Sequence, residues 1–286
     1  MLFDVTHRTI YHYSAPVTLD PHVIRMRPRS DGAQQILRYE EHITPTPILH
    51  SCAPDITGNP VTYVRFEGQP TELIVEISFG VETMRENAFD YLVSEAGAMS
   101  LPALYSENNR LGPCLLPYEY NVDVQALSER IAAESGNNTM QFLSNLNYWI
   151  QAECKHYIRE EGEPLSAATT LAQRAGSCRD LAVLFIDVCR MQGVAARFVS
   201  GYHAGEPDHD RRYLHAWAEV YLPGGGWRGY DPTHAVAVAN RHVAVAAAPH
   251  PRDAAPIIGA YRGDGITSKM SVEISINSYA MTTPTW

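Results

Sequence analysis

The sequence predicts an α+β protein that begins with a β-sandwich-like domain, and three observations lead to this prediction. Short alternating or β-branched runs separated by turn residues fill positions 1–80. From about residue 123 the apolar spacing becomes helical, and from about residue 196 it alternates again. Helices followed by antiparallel strands form an α+β unit. We therefore predict a β-rich domain over 1–105, a connector over 106–122 and an α+β core over 123–286.

Strands account for the first part of the chain. Turn clusters rich in Gly, Pro, Asp and Ser separate the apolar runs, as in an antiparallel sandwich. Five strands are predicted there, over 9–13, 22–27, 36–44, 61–66 and 72–81. The following segment contains Pro102, Pro113 and Pro117 and has little periodicity, which predicts a surface connector.

Helical spacing begins after the connector. Helices are predicted over 124–135, 139–154, 165–174 and 179–192. The last has the strongest apolar stripe, and Gly193 follows it as a suitable C-terminal cap. Strands are predicted over 196–202, 214–222 and 227–231, with a late pair over 242–246 and 270–276.

Composition excludes several classes of protein. The chain has 286 residues, of which 45% are apolar and 19% charged, as in globular proteins. Its formal net charge of −10 argues against nucleic acid or an anionic membrane as a partner. No apolar run is long enough to span a bilayer, and the first residues lack the pattern of a signal peptide. We therefore expect a cytoplasmic protein; the sequence leaves its oligomeric state open.

Cys178 is the cysteine whose surroundings suggest chemistry. Five scattered cysteines without a CxxC pair predict neither a metal site nor disulfides. Cys189 lies on the apolar face of a predicted helix and is expected to be buried. Cys178 instead begins that helix, directly after Gly176-Ser177. A helix N-terminus favours a thiolate, and the Cys178 N–H could form half of an oxyanion hole. We expect Asp180 to cap the helix or pair with Arg179.

A histidine and an aspartate follow on neighbouring strands. His215 and Trp217 lie on one face of an alternating strand, and Asp231 lies on the next strand. A thiol, an imidazole and a carboxylate in this order suggest a cysteine nucleophile, its base and an orienting acid. Trp217 is expected to exclude water and to contact the substrate.

The hairpin between these strands decides whether Asp231 can reach His215. Symmetric closure over 223–226 would place Asp231 opposite Ala218, on the wrong face. A one-residue offset places it opposite Trp217, diagonal to His215, and a three-residue offset places it directly opposite His215. The glycine run at 224–226 permits such an irregularity. The triad therefore requires an asymmetric or bulged hairpin.

These residues resemble a known family. The segments 176–180, 181–191, 196–202, 215–222 and 226–233 resemble the bacterial transglutaminase-like superfamily, and 7–28, 55–59, 241–245 and 256–263 resemble flanking parts of its members. The resemblance implies a papain-like core, with helices packed on an antiparallel sheet or barrel. It also implies a nucleophile, base and orienting acid at Cys178, His215 and Asp231. His234 departs from the family pattern, in which Asn is commoner.

The resemblance also implies a second oxyanion donor upstream of the cysteine. Trp149 and Tyr157 are candidates, so both join Trp217 as predicted substrate-binding residues. Trp149 continues an apolar helical stripe, which leaves packing as its alternative role.

The predicted function is acyl transfer from an amide through a thioester, without a cofactor. Members of the family include proteases, deamidases, cross-linking enzymes and non-catalytic relatives. Hydrolysis, transamidation and deamidation of a protein, peptide or small amide therefore stay open. Arylamine N-acetyltransferases share the order of the three residues but place the cysteine much earlier in the chain. A catalytically silent binding or scaffold protein is the second alternative.

Overall fold

The computed structural model describes residues 1–106, 108–205 and 212–280. Within these ranges the chain forms a mixed arrangement of helices and sheets with a β-rich N-terminal region, which confirms the predicted fold class. No helix in the described ranges combines the length and the apolar character needed to cross a bilayer.

The N-terminal region contains all five predicted strands and two further ones. Its strands are β1 (Leu2–Tyr13), β2 (Thr18–Leu19), β3 (His22–Ile24), β4 (Gln34–Thr44), β5 (Leu49–Pro54), β6 (Pro60–Arg65) and β7 (Glu72–Thr83). The sequence did not predict β5, because all six of its residues are exposed and no apolar alternation marks a buried face.

Five helices follow. They are α1 (Asn108–Leu115), α2 (Val122–Glu134), α3 (Thr139–Glu153), α4 (Ala167–Gln173) and α5 (Cys178–Met191). Asn121 and Asn138 cap α2 and α3 by accepting backbone N–H bonds. The helix α1 lies in the segment predicted as a connector, and its Leu111 and Cys114 are buried. The central helix is α5, whose side chains from Asp180 to Arg190 are all buried.

The helices pack on an antiparallel five-stranded sheet. Its strands are β10 (Ala196–His203), β11 (His215–Leu222), β12 (Gly226–Asp231), β13 (Val236–Ala237) and β14 (His242–Ala248), in the spatial order β13-β12-β11-β10-β14. The short strands β8 (Lys155–His156) and β9 (Ala175–Gly176) pair in parallel beside it. This pairing brings residues just after α3 next to the start of α5.

The C-terminal segment returns to the N-terminal sheets. Its strands are β15 (Ile257–Ile258), β16 (Tyr261–Arg262) and β17 (Ser268–Tyr279). They pair with β3, β2 and β1 respectively, and β17 follows β1 along its whole length. Strands β15–β17, which were predicted to belong to the core over 123–286, therefore pair with strands of the predicted N-terminal domain over 1–105. Alternation in a sequence predicts a strand but does not specify its partner.

The two regions share a hydrophobic core. One buried cluster joins the helices to the inner face of the five-stranded sheet. A second cluster fills the N-terminal sheets and also includes Tyr202 on β10 and Val243 and Val245 on β14. A hydrogen bond of 2.8 Å between His7 Nδ1 and the Tyr202 hydroxyl links the same regions. The N-terminal strands thus pack directly against the strands that carry the candidate site.

Candidate active site

Cys178 is the first residue of α5. Ser177 precedes it, and both its N–H and its hydroxyl donate to Asp180 Oδ2 at 2.7 Å. Position 176 requires glycine because the backbone there lies close to the Asp180 side chain: an added Cβ would be 2.8 Å from the Asp180 Cβ. These contacts place the half-buried Cys178 thiol at a fixed helix N-terminus. The N–H groups of a first helical turn lack carbonyl partners within the helix, so the Cys178 N–H is suited to bind an oxyanion.

Asp180 has the structural role expected of it, with a different partner. Its buried Oδ1 accepts a 2.6 Å bond from Arg159 Nη2 and a 2.7 Å bond from the Leu165 N–H. Arg179 instead donates to the carbonyl oxygens of Arg159 and Glu161. Asp180 therefore closes the start of α5 and fixes the preceding loop beside Cys178.

His215 lies between the thiol and a carboxylate. Its Nε2 is 2.7 Å from Asp231 Oδ2, and the Cys178 thiol lies near enough to help raise the pKa of its ring. Because Nε2 is bound to Asp231, Nδ1 is the nitrogen left for the thiol. The structure thus brings together the three residues predicted to act as nucleophile, base and orienting acid.

The hairpin has the one-residue offset that this contact requires. Leu222 pairs with Gly226 and Ala218 with Tyr230, around a turn over 223–225. Gly224 and Gly226 have φ values of +84° and +71°, which favour glycine. Continued by one residue, this register places Asp231 opposite Trp217, on the face of β11 that carries His215.

Asp231 is fully buried among hydrogen-bond donors. Besides His215, His234 Nδ1 lies 2.8 Å and His242 Nε2 lies 3.0 Å from Oδ2. The Thr233 N–H donates to Oδ1 at 2.9 Å. Burial alone would raise the pKa of Asp231, but the charge of His215 and the imidazole bonds hold that pKa well below its ordinary value. The carboxylate is therefore ionised.

The electrostatics favour an imidazolium at His215. Burial acts to lower the pKa of His215, but Asp231 and the Cys178 thiol outweigh it and raise that pKa to about 10. A raised pKa means that the folded state stabilises the proton on His215. This contribution to stability is fully present below the ordinary pKa of about 6.5 and is lost as pH rises through about 10.

Iodoacetamide is therefore expected to alkylate Cys178 readily at about pH 6. The reason is that imidazolium at His215 pairs with thiolate at Cys178. The measurement is the alkylation rate across pH, with the labelled cysteine identified by peptide mass. The buried Cys189 is the internal control, since burial raises the pKa of its thiol. A Cys178 rate that rises only near pH 8.5 would contradict the ion pair.

A cavity of about 910 Å³ opens in front of the thiol. Cys178, His215 and His234 lie on one side of it. The opposite wall comes from β1 and β17, where the register pairs Tyr11 with Met270, Thr9 with Val272 and His7 with Ile274. The N-terminal sheet therefore forms part of the cavity, which it lines mainly with polar side chains from β1 and apolar ones from β17.

The three predicted substrate-binding residues have different positions. Tyr157 lines the cavity. Trp217 does not, because its side chain is buried behind the site, where its ring meets that of His242 at 5.1 Å. Trp149 lies away from the cavity with the guanidinium of Arg174 over its ring at 4.6 Å. Neither Trp217 nor Trp149 lines the cavity, and both side chains are engaged in packing, so their contact with a substrate stays a prediction.

Among the described residues, His242 and His156 also belong to the site, and neither was predicted. His242 reaches Asp231 from β14, and His156 lines the cavity from β8. The pairing of β8 with β9 sets His156 beside Gly176. Neither histidine has a spacing signal in the sequence, because each reaches the site through pairing with a distant strand.

One group within the described ranges has the spacing of metal ligands. The ligand atoms of His215, Asp231 and His234 lie within 4.8 Å of one another. Each imidazole is already at hydrogen-bonding distance from Asp231 Oδ2. Hydrogen bonds therefore explain why the three side chains lie so close together. That no metal takes part stays a prediction.

Comparison with known proteins agrees with this architecture. The chain is 29% identical to an uncharacterized protein of Mycobacterium leprae, over 96% of this chain and 98% of the relative. An uncharacterized protein of Mycobacterium tuberculosis is 25% identical, over 96% and 92%. A solved structure from Cytophaga hutchinsonii, titled "Putative Cysteine Protease", covers 100% of this chain and 93% of its own, with 24% identity and a TM-score of 0.72. This last likeness supports the fold.

Two family models match different parts of the chain. Residues 3–82 match the bacterial transglutaminase-like N-terminal region, which corresponds to β1–β7. Residues 125–232 match the transglutaminase-like superfamily, a segment that includes Cys178, His215 and Asp231. The chain therefore has a transglutaminase-like core over 125–232, preceded by a bacterial transglutaminase-like N-terminal region over 3–82.

Proposed function

We propose that this protein is a cysteine-nucleophile acyl-transfer enzyme that acts on amide bonds through a thioester. The observation that carries the proposal is the position of His215, which bonds the buried Asp231 carboxylate and lines the same cavity as the Cys178 thiol. A nucleophile, a base and a group that orients the base are the parts that such chemistry needs.

The reaction begins with an ion pair of Cys178 thiolate and His215 imidazolium. The sulfur attacks the amide carbonyl, and the Cys178 N–H stabilises the oxyanion that forms. When the carbon–nitrogen bond breaks, His215 gives its proton to the departing amine and a thioester remains on Cys178. Water then attacks the thioester carbonyl as His215 removes its proton, and the carbon–sulfur bond breaks, which releases a carboxylic acid and leaves Cys178 thiolate beside protonated His215.

Peptide or protein amides are the substrates that the cavity suits best. Its volume of about 910 Å³ lies at the upper end of the range for ordinary small-molecule pockets. Apolar side chains of β17, among them Met270 and Val272, line part of the cavity, so a polypeptide segment could bind there through its own apolar side chains. We accordingly propose hydrolysis of a peptide or side-chain amide as the main reaction.

Transamidation is the second candidate, and three glutamates in the cavity lining favour it, beside Arg159, Arg179 and Arg212 in the same lining. Glu160, Glu161 and Glu163 lie on the loop that lines the cavity near Cys178. Carboxylates there would attract a protonated amine toward the site. An amine that replaces water as the second nucleophile would yield a new amide in place of the acid.

Product analysis separates these reactions. Wild type is incubated with peptides that contain glutamine, γ-glutamyl bonds or ordinary peptide bonds, with and without an added primary amine. Masses of the products distinguish peptide cleavage, deamidation and amine incorporation. We expect conversion of at least one class by wild type and none by folded Cys178→Ala. Conversion by Cys178→Ala would refute the nucleophile, and no conversion by wild type together with ordinary thiol reactivity would favour a silent binding protein.

A further inference from the structure

We propose that His234 and His242 are positioning residues that hold the Asp231 carboxylate toward His215. The inference rests on the proposed function, in which Asp231 orients the base. It concerns two residues that touch neither the thiol nor the expected substrate carbonyl, and that act through Asp231.

The geometry assigns a proton to each of the two imidazoles. An ionised carboxylate only accepts hydrogen bonds, so every nitrogen bonded to Asp231 must donate. His234 therefore carries its proton on Nδ1, at 2.8 Å from Oδ2, and His242 on Nε2, at 3.0 Å. With the Thr233 N–H on Oδ1, donors other than His215 contact both carboxylate oxygens.

The burial of His242 supports a positioning role for the hydrogen bond that it makes to Asp231. Its side chain is 2% exposed, and its Nδ1 is a buried atom without a hydrogen-bond partner among the described residues. A buried polar atom that lacks a partner is destabilising, and an apolar side chain would avoid this cost. The bond from Nε2 to Asp231 is therefore the favourable interaction that an imidazole supplies at this position.

Positioning is needed because the rotation of a carboxylate about its last side-chain bond is soft. Without further donors, Oδ2 could turn away from His215 Nε2. The His215 ring would then lose the contact that keeps Nδ1 directed at the thiol. Donors on both oxygens fix the carboxylate, and through it the ring of His215.

The surrounding groups keep the positive charge on His215. The ring of His203 contacts those of His234 and His242 in tilted arrangements, with ring centroids 4.6 and 4.5 Å away. Burial and the neighbouring histidines lower the pKa of His203 to about 3, so its ring is neutral. The titratable groups that face Asp231 and its partners are Cys178, His156, His203, His215, His234 and His242.

The test compares variants that remove each bond with variants that preserve it. His242→Leu and His234→Ala remove the donors. His242→Gln and His234→Asn place an amide nitrogen near the former ring nitrogen. The readouts are kcat and KM for the substrate found by product analysis, and the pH dependence of Cys178 alkylation, which requires no substrate.

We expect the first pair of variants to lower kcat by roughly 10- to 100-fold with little change in KM, the size expected for a bond to a charged group. The acid limb of the alkylation profile should move to higher pH, because a buried carboxylate with fewer donors is protonated more easily. The amide variants should restore most of both properties.

A buried histidine elsewhere gives the matched control. His22 on β3 bonds the Asp20 carbonyl at 2.7 Å, and His22→Ala should leave the alkylation profile unchanged. Thermal melting verifies folding, and His234→Ala carries the test if His242→Leu does not fold, because His234 is 34% exposed. Unchanged profiles in both donor-removing variants would overturn the proposal, as would equal losses in the amide variants. The proposed function would still stand on the loss of turnover in Cys178→Ala.

Discussion

Replacing Asp231 by Asn is expected to lower kcat by about a thousandfold or more while the protein stays folded. Loss of the orienting carboxylate in a comparable triad costs roughly 10⁴-fold. Here Asp231 makes a larger contribution than Cys178 to raising the pKa of His215 against the effect of burial. Without its charge, burial prevails and the pKa of His215 falls, so the imidazolium–thiolate pair is lost at neutral pH.

The asparagine also mismatches its hydrogen-bond partners. Three imidazole nitrogens approach Oδ2, and an amide presents either one acceptor oxygen or a donating NH2 group there. If the NH2 group faces His215, that ring must turn its proton toward Nδ1 and can no longer take one from Cys178. The wrong tautomer therefore adds to the loss of charge.

The measurement is kcat for wild type and Asp231→Asn, with alkylation of Cys178 across pH. The control is Asp187→Asn, which alters a buried carboxylate on α5 that accepts the Tyr118 N–H at 2.8 Å, away from the cavity. Burial raises the pKa of Asp187 to about 6, so its neutral replacement should be tolerated and turnover retained. Turnover by Asp231→Asn within tenfold of wild type would remove Asp231 from the mechanism.

Local rules explain why part of the site could be predicted. Cys178 begins a helix that is evident from its apolar spacing, and Gly176, Ser177 and Asp180 shape that start through contacts within four residues. Predicting the position of Asp231 required the register of one hairpin as well. A turn of three residues with two glycines sets that register. Both inferences need only neighbours along the chain or across one turn.

His242 shows where this reasoning ends. It reaches the site because β14 pairs with β10, which places His242 beside His203 in the register. Nothing in the alternation of residues 242–248 specifies which strand they join. The same limit applies to β17, whose pairing with β1 links residues more than 250 positions apart. Tertiary packing selects these partners.

Ile276→Asp is expected to reduce the free energy of unfolding by about 3–5 kcal/mol, if β17 is an integral strand of the N-terminal sheet. Ile276 is 9% exposed, lies opposite Val5 and belongs to the core cluster of that sheet. An aspartate there would bury a charge without a partner. Its neighbour Ser275 points to the exposed face, so Ser275→Asp introduces the same charge at a cost within about 0.5 kcal/mol.

Urea unfolding of both variants measures the difference, with tryptophan fluorescence and far-UV circular dichroism as probes. Because β17 also supplies the cavity wall at Met270, Val272 and Ile274, partial loss of this strand should raise KM before the helical core unfolds. Equal stability of the two variants would show that β17 does not belong to the sheet in solution. A loss of stability confined to Ile276→Asp would establish that β17 completes the N-terminal core. A raised KM in the same variant would show that β17 also completes the cavity in front of Cys178.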